Sequence, residues 1–167
     1  FDPKSSLPSE LWSMTNLTAL WLSATSVQGV LTTHIHQLSN LQFFSFSLNN
    51  IGSSLPSEIG MLTALRQLNG ENSRLFGLIP SEIGQLTQLT ALSLYGNQLS
   101  GRIPTEIALL SNIVSASFAS NNGLSGSLDG LCDSVKSDTD AHISGDESDE
   151  CCLSQQCEIE CYCCKVI

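Results

Sequence analysis

The sequence predicts an α/β solenoid, a repeat fold in which each unit contributes a short strand and a short helical turn. Two observations lead to this prediction. Apolar residues return every 24 positions through about five successive units. No single unit can bury its apolar side alone, so each needs a copy stacked against it. The unit at residues 89–112, LTALSLYGNQLSGRIPTEIALLSN, shows the pattern most clearly.

This unit begins as a strand, because Leu92 and Leu94 are two residues apart, the spacing of side chains on one face of a strand. A turn follows at residues 96–97, and a second extended segment runs to Ile103. Pro104 then ends the extended segment and starts a short helical turn.

Two positions of the unit that are not apolar also have a structural reason. Asn49, Asn97 and Asn121 share one position, where an inward amide can bond backbone groups that a bend leaves unpaired. Shorter side chains take that position in the other units, as Thr25 and Ser73, and should satisfy fewer groups. Glycine marks a second position, which predicts a tight backbone conformation there. Its occupants are Gly29, Gly77, Gly101 and Gly126, with Ser53 as the exception.

The pattern LxxLxLxxNxLSGxIPxEIxxLxx resembles the plant-type leucine-rich repeat, and it extends over residues 7–128. The resemblance implies a right-handed superhelix with one parallel sheet on its concave side and short helical or 3-10 turns on its convex side. The five strands are then expected at residues 19–22, 43–46, 67–70, 91–94 and 115–118.

Four segments follow along the chain. Residues 1–16 match only the second half of a unit, and we hypothesise that upstream sequence has been removed. Five repeats occupy residues 17–128. Residues 129–150 are rich in Ser, Asp and Glu and should form a flexible acidic loop. Residues 151–167 should form a Cys-rich C-terminal cap.

All seven cysteines lie within this C-terminal region, and we expect disulfides there. They are Cys132, Cys151, Cys152, Cys157, Cys161, Cys163 and Cys164. A zinc site is the alternative, but the two adjacent cysteine pairs fit the usual ligand spacing poorly. An odd number leaves one thiol free or paired with another chain.

The charge distribution and the motifs exclude several functions. The net charge is -10, but residues 1–128 hold only four bases, which offer no stripe for nucleic acid. No apolar run reaches the roughly 20 residues of a membrane span. The sequence has no phosphate loop, no nucleophile elbow and no zinc-protease motif, so we expect no enzyme, no cofactor and no metal.

The concave face is the surface with a functional case, because side chains that alternate with the buried strand residues should point outward there. Most of these residues are small and neutral, but the Trp, Tyr and Arg among them are typical interface anchors. The predicted ligand-binding residues are Trp21, Phe43, Ser45, Arg66, Asn69, Glu71, Ser93 and Tyr95. Asn16 begins an N-glycosylation acceptor sequence.

The repeats also resemble the ectodomains of plant leucine-rich repeat receptors and related secreted inhibitor proteins. This resemblance implies a non-enzymatic, extracellular module, either secreted or part of a membrane protein. It would bind a protein or peptide ligand, and its partners could include a co-receptor. Two alternatives stay open, namely the extracellular portion of a receptor kinase and a structural or adhesive cell-wall protein.

Overall fold

The structure is a computed structural model that describes residues 7–126, 128, 130–131 and 142–144. The chain forms a solenoid with a parallel sheet on its concave side, which confirms the predicted fold class. Strands are numbered along the chain. The five expected strands are β1 (Ala19–Trp21), β2 (Phe43–Ser45), β3 (Gln67–Asn69), β5 (Ala91–Ser93) and β7 (Ser115–Ser117). Each ends one residue earlier than the sequence indicated.

The register of this sheet follows the repeat. Leu20 pairs with Phe44, Phe44 with Leu68, and Leu68 with Leu92, so equivalent residues of successive units lie side by side. These four side chains point inward and are buried. The core is therefore a continuous stack of apolar residues that runs along the solenoid, and no unit has a core of its own.

The convex side consists of five short 3-10 helices, as the helical turns of the repeat predicted. They are Ser9–Ser13, Thr33–Gln37, Ser57–Met61, Ser81–Gln85 and Thr105–Leu109. The units stack closely there, because a Cβ at Gly84 would overlap the carbonyl oxygen of Glu106 in the next unit. The first 3-10 helix belongs to the partial N-terminal repeat and packs on the second.

A second sheet covers the flank between the concave and convex sides. The sequence predicted a second extended segment in the unit but not the pairing of these segments into a sheet. The parallel strands of this second sheet are β4 (Phe76–Gly77), β6 (Gln98–Arg102) and β8 (Gly123–Ser125). The predicted tight glycine position lies in this flank, where Gly77 and Gly101 have φ values of 78° and 80°. Only glycine adopts such backbone angles without strain. The expectation of a tight position is thereby confirmed.

A sixth strand extends the concave sheet at its C-terminal edge. This strand, β9 (His142–Ser144), pairs in parallel with β7. It falls within residues 129–150, where we expected a flexible acidic loop, so the structure differs from that expectation at these three residues. The cysteines and the proposed C-terminal cap lie outside the described residues.

The recurring asparagine bonds the backbone on both sides of the bend, as predicted. Asn97 is 8% exposed, and its Oδ1 accepts hydrogen bonds from the backbone N–H groups of Ser73 at 3.0 Å and Leu75 at 2.9 Å. Its Nδ2 donates to the carbonyl oxygens of Gly70 at 2.8 Å and Leu94 at 2.9 Å. One side chain therefore joins its own unit to the preceding one.

Asn49 and Asn121 make the same kind of contact, and the shorter residues make fewer. The Oδ1 of Asn49 accepts from the backbone N–H of Val27 at 3.0 Å, and that of Asn121 accepts from Leu99 at 3.0 Å. Ser73, which occupies the same position, donates from its Oγ to the carbonyl oxygen of Phe46 at 2.8 Å. A hydroxyl can satisfy carbonyl groups in this way, but it replaces only part of the amide's bonding.

Replacement of Asn97 by alanine should strongly destabilise the solenoid. The change leaves several buried backbone groups unpaired, and each costs about 1–3 kcal/mol, so we expect a loss of at least ~3 kcal/mol in the free energy of unfolding. Urea unfolding followed by circular dichroism measures this loss. Gln98→Ala, at the exposed neighbouring residue, is the control and should change it by less than about 0.5 kcal/mol. Equal effects of the two substitutions would contradict this role of the amide.

Candidate functional site

The concave face begins with an aromatic pair. Trp21 is the last residue of β1 and is 61% exposed, and Phe43 is the first residue of β2. Their rings stack with centroids 6.1 Å apart and planes inclined by 22°. Leu20 and Phe44 on the same strands point into the core, so alternation directs both rings outward. We call Trp21 and Phe43 the aromatic platform.

Ser45 requires a correction, because we expected it to be open to a ligand and its exposed fraction is 3%. Trp21 lies opposite Ser45 in the register, and the Oγ atoms of Ser45 and Ser23 are 2.6 Å apart. The Oγ of Ser47 donates to the Oγ of Ser23 at 2.9 Å. The side chain of Ser45 is thus enclosed in a hydrogen-bonded cluster of three serines and is not accessible at the surface of the face.

A fixed carboxylate lies on the same face beyond the platform. Ser93 donates from its Oγ to the Oε1 of Glu71 at 2.6 Å, and the backbone N–H of Glu71 donates to the Oδ1 of Asn69 at 3.1 Å. All three residues are half-buried. The arrangement holds one negative charge at the ends of β3 and β5, where it can accept hydrogen bonds from a cationic or amide group.

Arg66 and Tyr95 complete the predicted set as separate exposed side chains. Arg66 lies one residue before β3, and Tyr95 lies two residues after β5 and is 41% exposed. The structure therefore brings Trp21 to Phe43 and joins Glu71 to Asn69 and Ser93. With strands about 4.8 Å apart, the distance across the sheet from Trp21 to Ser93 is about 14 Å.

Leu48 belongs to the same surface but was not among the predicted ligand-binding residues. It is 60% exposed and lies just beyond β2, with a φ of 56°. A left-handed backbone costs a residue with a Cβ about 1–2 kcal/mol. The equivalent residues are smaller or polar, which is the sequence signal that could have identified it. They are Ala24, Asn72, Gly96 and Ser120.

Asn16 is exposed, as a glycosylation site requires. Asn40 and Asn112 occupy the same repeat position, and each donates from its Nδ2 to the backbone of the preceding unit, to Thr15 at 2.9 Å and Thr87 at 2.7 Å. Within the described residues, the amide of Asn16 makes no such bond.

Two kinds of feature are absent from the described residues. They contain no group of three or more His, Cys, Asp or Glu side chains placed to hold a metal ion. They also contain no helix with the length and apolar character that crossing a membrane would require.

The 24-residue register, the buried asparagines and the variable outward side chains define a leucine-rich repeat solenoid. Comparison with known proteins agrees, because the sequence profile of the Leucine Rich Repeat family matches residues 88–110, within the most regular unit. Plant receptor ectodomains are among the solved structures with the same fold and similar sequence. The chain is a leucine-rich repeat protein of the plant type. No curated protein is similar enough in sequence to count as a match.

Three of the similar solved structures show the degree of similarity in sequence and fold. The plant peptide hormone receptor RGFR1 in complex with RGF2 is 34% identical over 73% of this chain and 20% of the receptor chain, with a TM-score of 0.68. The Arabidopsis receptor kinase HAESA, in complex with the peptide hormone IDA and the co-receptor SERK1, is 31% identical over 68% of this chain and 20% of that chain, with a TM-score of 0.62. A leucine-rich repeat protein of Leptospira interrogans is 28% identical over 79% of this chain and 32% of its own, with a TM-score of 0.66. The present chain thus spans about a fifth of the two receptor chains.

Truncation of Trp21 should cost far less stability than truncation of its inward neighbour. Trp21→Ala removes one exposed stacking contact, worth about 0.5–1.5 kcal/mol. Phe44→Ala empties a core position and should cost about 3–5 kcal/mol. Urea unfolding of both variants measures the difference. A loss of similar size for Trp21→Ala would assign that ring to the stability of the fold and weaken the case for recognition.

Proposed function

We propose that the chain is a non-enzymatic recognition module that binds a protein or peptide segment across its concave face. The observation that supports the proposal is the exposed aromatic platform. A tryptophan that is 61% exposed on a sheet adds little to the core, whereas Trp and Tyr are the residues that most often anchor interfaces. The sheet beneath is rigid, which lowers the ordering cost of binding.

The side chains of the face suggest the chemistry of the ligand. The aromatic platform would take an apolar side chain, and Glu71, fixed by Ser93, would take a cationic or amide group. In the register, Glu71 lies two strand spacings from Trp21 across the sheet and two residues further along the strand direction, about 12 Å in all, which an extended segment crosses in about four residues. Arg66 and Tyr95 then contact the segment from the two ends of the strands.

The similar structures support a peptide as the ligand class and a co-receptor as a further partner. RGFR1 was solved with RGF2, and HAESA was solved with a peptide hormone and a co-receptor. A more specific form of the same proposal, based on this similarity, is that the chain is the extracellular portion of a receptor kinase. Because the chain spans about a fifth of those receptors, the activity of a whole receptor would require sequence outside it.

A structural or adhesive function is the second candidate, and the serine cluster is what favours it. Ser23, Ser45 and Ser47 bond to one another, so their hydroxyls are paired within the face, and Ser45 and Ser47 are buried. A purely structural array would need only such internally bonded side chains on this face. The aromatic platform and the fixed Glu71 are the features that a spacer does not explain.

Simultaneous replacement of Trp21, Arg66 and Tyr95 by alanine should abolish capture of the ligand. A partner isolated by the intact chain from the extracellular fraction of the source organism serves as the probe, and calorimetry measures its affinity. We expect a loss of about 100-fold or more, because anchor residues dominate interface energy. The matched control replaces the exposed convex residues Met61, Gln85 and Leu109 by alanine and should leave the affinity unchanged. Unaltered capture by a folded concave variant would contradict the proposed face.

We also propose an extracellular location, which the exposed Asn16, the seven cysteines and the receptor structures support. After passage through a eukaryotic secretory pathway, the chain should carry a glycan that Thr18→Ala removes. Alkylation before reduction should label no more than one of the seven cysteines, since an odd number leaves one without an intrachain partner. Mass spectrometry measures both. Seven free thiols in the freshly isolated protein would rule out an oxidising compartment.

A further inference from the structure

The outward side of the second sheet is an exposed apolar surface that is separate from the concave face. Leu75 and Ile79 are buried, so the alternating residues Arg74, Phe76 and Leu78 point away from the core. Phe76 is 49% exposed and Leu78 is 63% exposed. With Val30 and Arg102 at the same flank, these residues form what we call the lateral face.

The repeat itself does not require apolar residues there. The position of Phe76 is occupied by Gly52 in the preceding unit, and the position of Leu78 is occupied there by Ser54. The fold thus forms equally well with small or polar side chains. Leu78 leans across Gly101 of the next unit, at a place where a Cβ would collide with its side chain. This contact fixes the orientation of Leu78 and leaves most of its surface in water.

The lateral face also concentrates positive charge in an acidic protein. The chain has a net charge of -10 and six Lys and Arg residues in all, and Arg74 and Arg102 flank Phe76 and Leu78. Neither guanidinium forms an ion pair within the described residues. Arg74 moreover has a φ of 58°, so its position is held in a conformation that is strained for a residue with a Cβ.

The register gives the spacing of these groups. Phe76 pairs with Gln98, so Arg74 lies two residues before this pair and Arg102 lies four residues after it. Six residue steps along the strand direction correspond to about 20 Å, and one strand spacing adds about 4.8 Å across the sheet. Phe76 and Leu78 lie between the two arginines.

We propose that the lateral face binds an extended segment of a partner protein in which acidic residues flank apolar ones. The segment runs along the strand direction for about seven residues, which matches the six residue steps that separate Arg74 from Arg102 in the register. Its terminal carboxylates bond Arg74 and Arg102, and its central apolar side chains cover Phe76 and Leu78. The charge of the face selects acidic partners, since like charges placed together disfavour binding.

A pair of fluorescein-labelled peptides tests this proposal on the full chain, prepared without a reducing agent. One peptide, EDSFTLSDE, carries acidic ends, and the other, NQSFTLSNQ, keeps the same centre with neutral ends. Fluorescence anisotropy should show that the acidic peptide binds at least about tenfold more tightly, and that this advantage falls as salt is added. Equal affinities for the two peptides would overturn the proposal.

Two double variants locate the binding. The double variant Arg74→Gln, Arg102→Gln should bind the acidic peptide about tenfold more weakly and should bind the neutral peptide with unchanged affinity. Phe76→Ser with Leu78→Ser, which inserts residues of the kind that neighbouring units carry, should weaken both peptides. The concave variant that lacks Trp21, Arg66 and Tyr95 is the control and should bind the acidic peptide normally. If the concave variant loses binding and the arginine variant keeps it, the site lies on the concave face and the proposal fails.

Two other occupants give distinct results. If the chain's own acidic segment covers the lateral face, neutralising the seven acidic residues of 133–150 will make peptide binding tighter. If a second copy covers it, sedimentation will show a dimer that dissociates in the arginine double variant. Either result would overturn a partner protein as the occupant. An unchanged affinity and a monomeric chain would support it.

Discussion

The bends after β2, β5 and β7 each carry a buried amide, from Asn49, Asn97 and Asn121. Backbone groups at a bend leave the sheet ladder, and they cannot remain unpaired inside a protein. The side chain of Asn97 pairs such groups on both sides of the bend. Its Oδ1 accepts from the backbone N–H groups of Ser73 and Leu75 in the preceding unit, and its Nδ2 donates to the carbonyl oxygen of Leu94 in its own unit. The amide therefore links the end of the concave strand to the start of the flank and joins one unit to the next. The 24-residue register also holds for β1 and β3, whose bends carry Thr25 and Ser73, so the apolar stack maintains it together with the amide.

Because the buried amide and the apolar stack define the backbone, the outward side chains are free to vary. Trp21, Asn69 and Ser93 occupy one outward position of the repeat, and they differ in size and polarity while the strands keep the same length. The fold does not require these differences, and the proposed recognition function accounts for them. Ser45 occupies the same outward position but is only 3% exposed, since it lies opposite Trp21 in the register and its Oγ is hydrogen-bonded to that of Ser23.

The sequence was sufficient for the features that repeat and insufficient for those that occur once or carry a weak strand signal. The five concave strands and the asparagine contacts recur in unit after unit, so the pattern identified them. The second extended segment of the unit was predicted, but its pairing into a sheet was not, because Gly77 and Gly101 interrupt these strands and glycine within a strand normally argues against one. β9 was not predicted, because its segment is rich in acidic and small polar residues and was expected to form a loop. Its pairing depends on the open edge of β7, which offers unpaired backbone groups to any nearby segment.

Gly70 shows why departures from a repeat need their neighbours before they can be interpreted. Leu22, Leu94 and Phe118 fill its position elsewhere, so the sequence presents it as a gap in the core. The ring of Phe46 from the preceding unit fills that gap, since a Cβ at Gly70 would lie 2.6 Å from its Cζ.

Ser53 is compensated in the same manner, since its Oγ accepts a hydrogen bond from the backbone N–H of Leu31 at 3.2 Å. Such internally compensated departures carry no information about function. Trp21 is different, because its stacking partner Phe43 lies on the open face as well and Trp21 remains 61% exposed. Phe76 likewise meets no aromatic partner among the described residues. Exposure without compensation, rather than irregularity by itself, is therefore what marks the two surfaces proposed for binding.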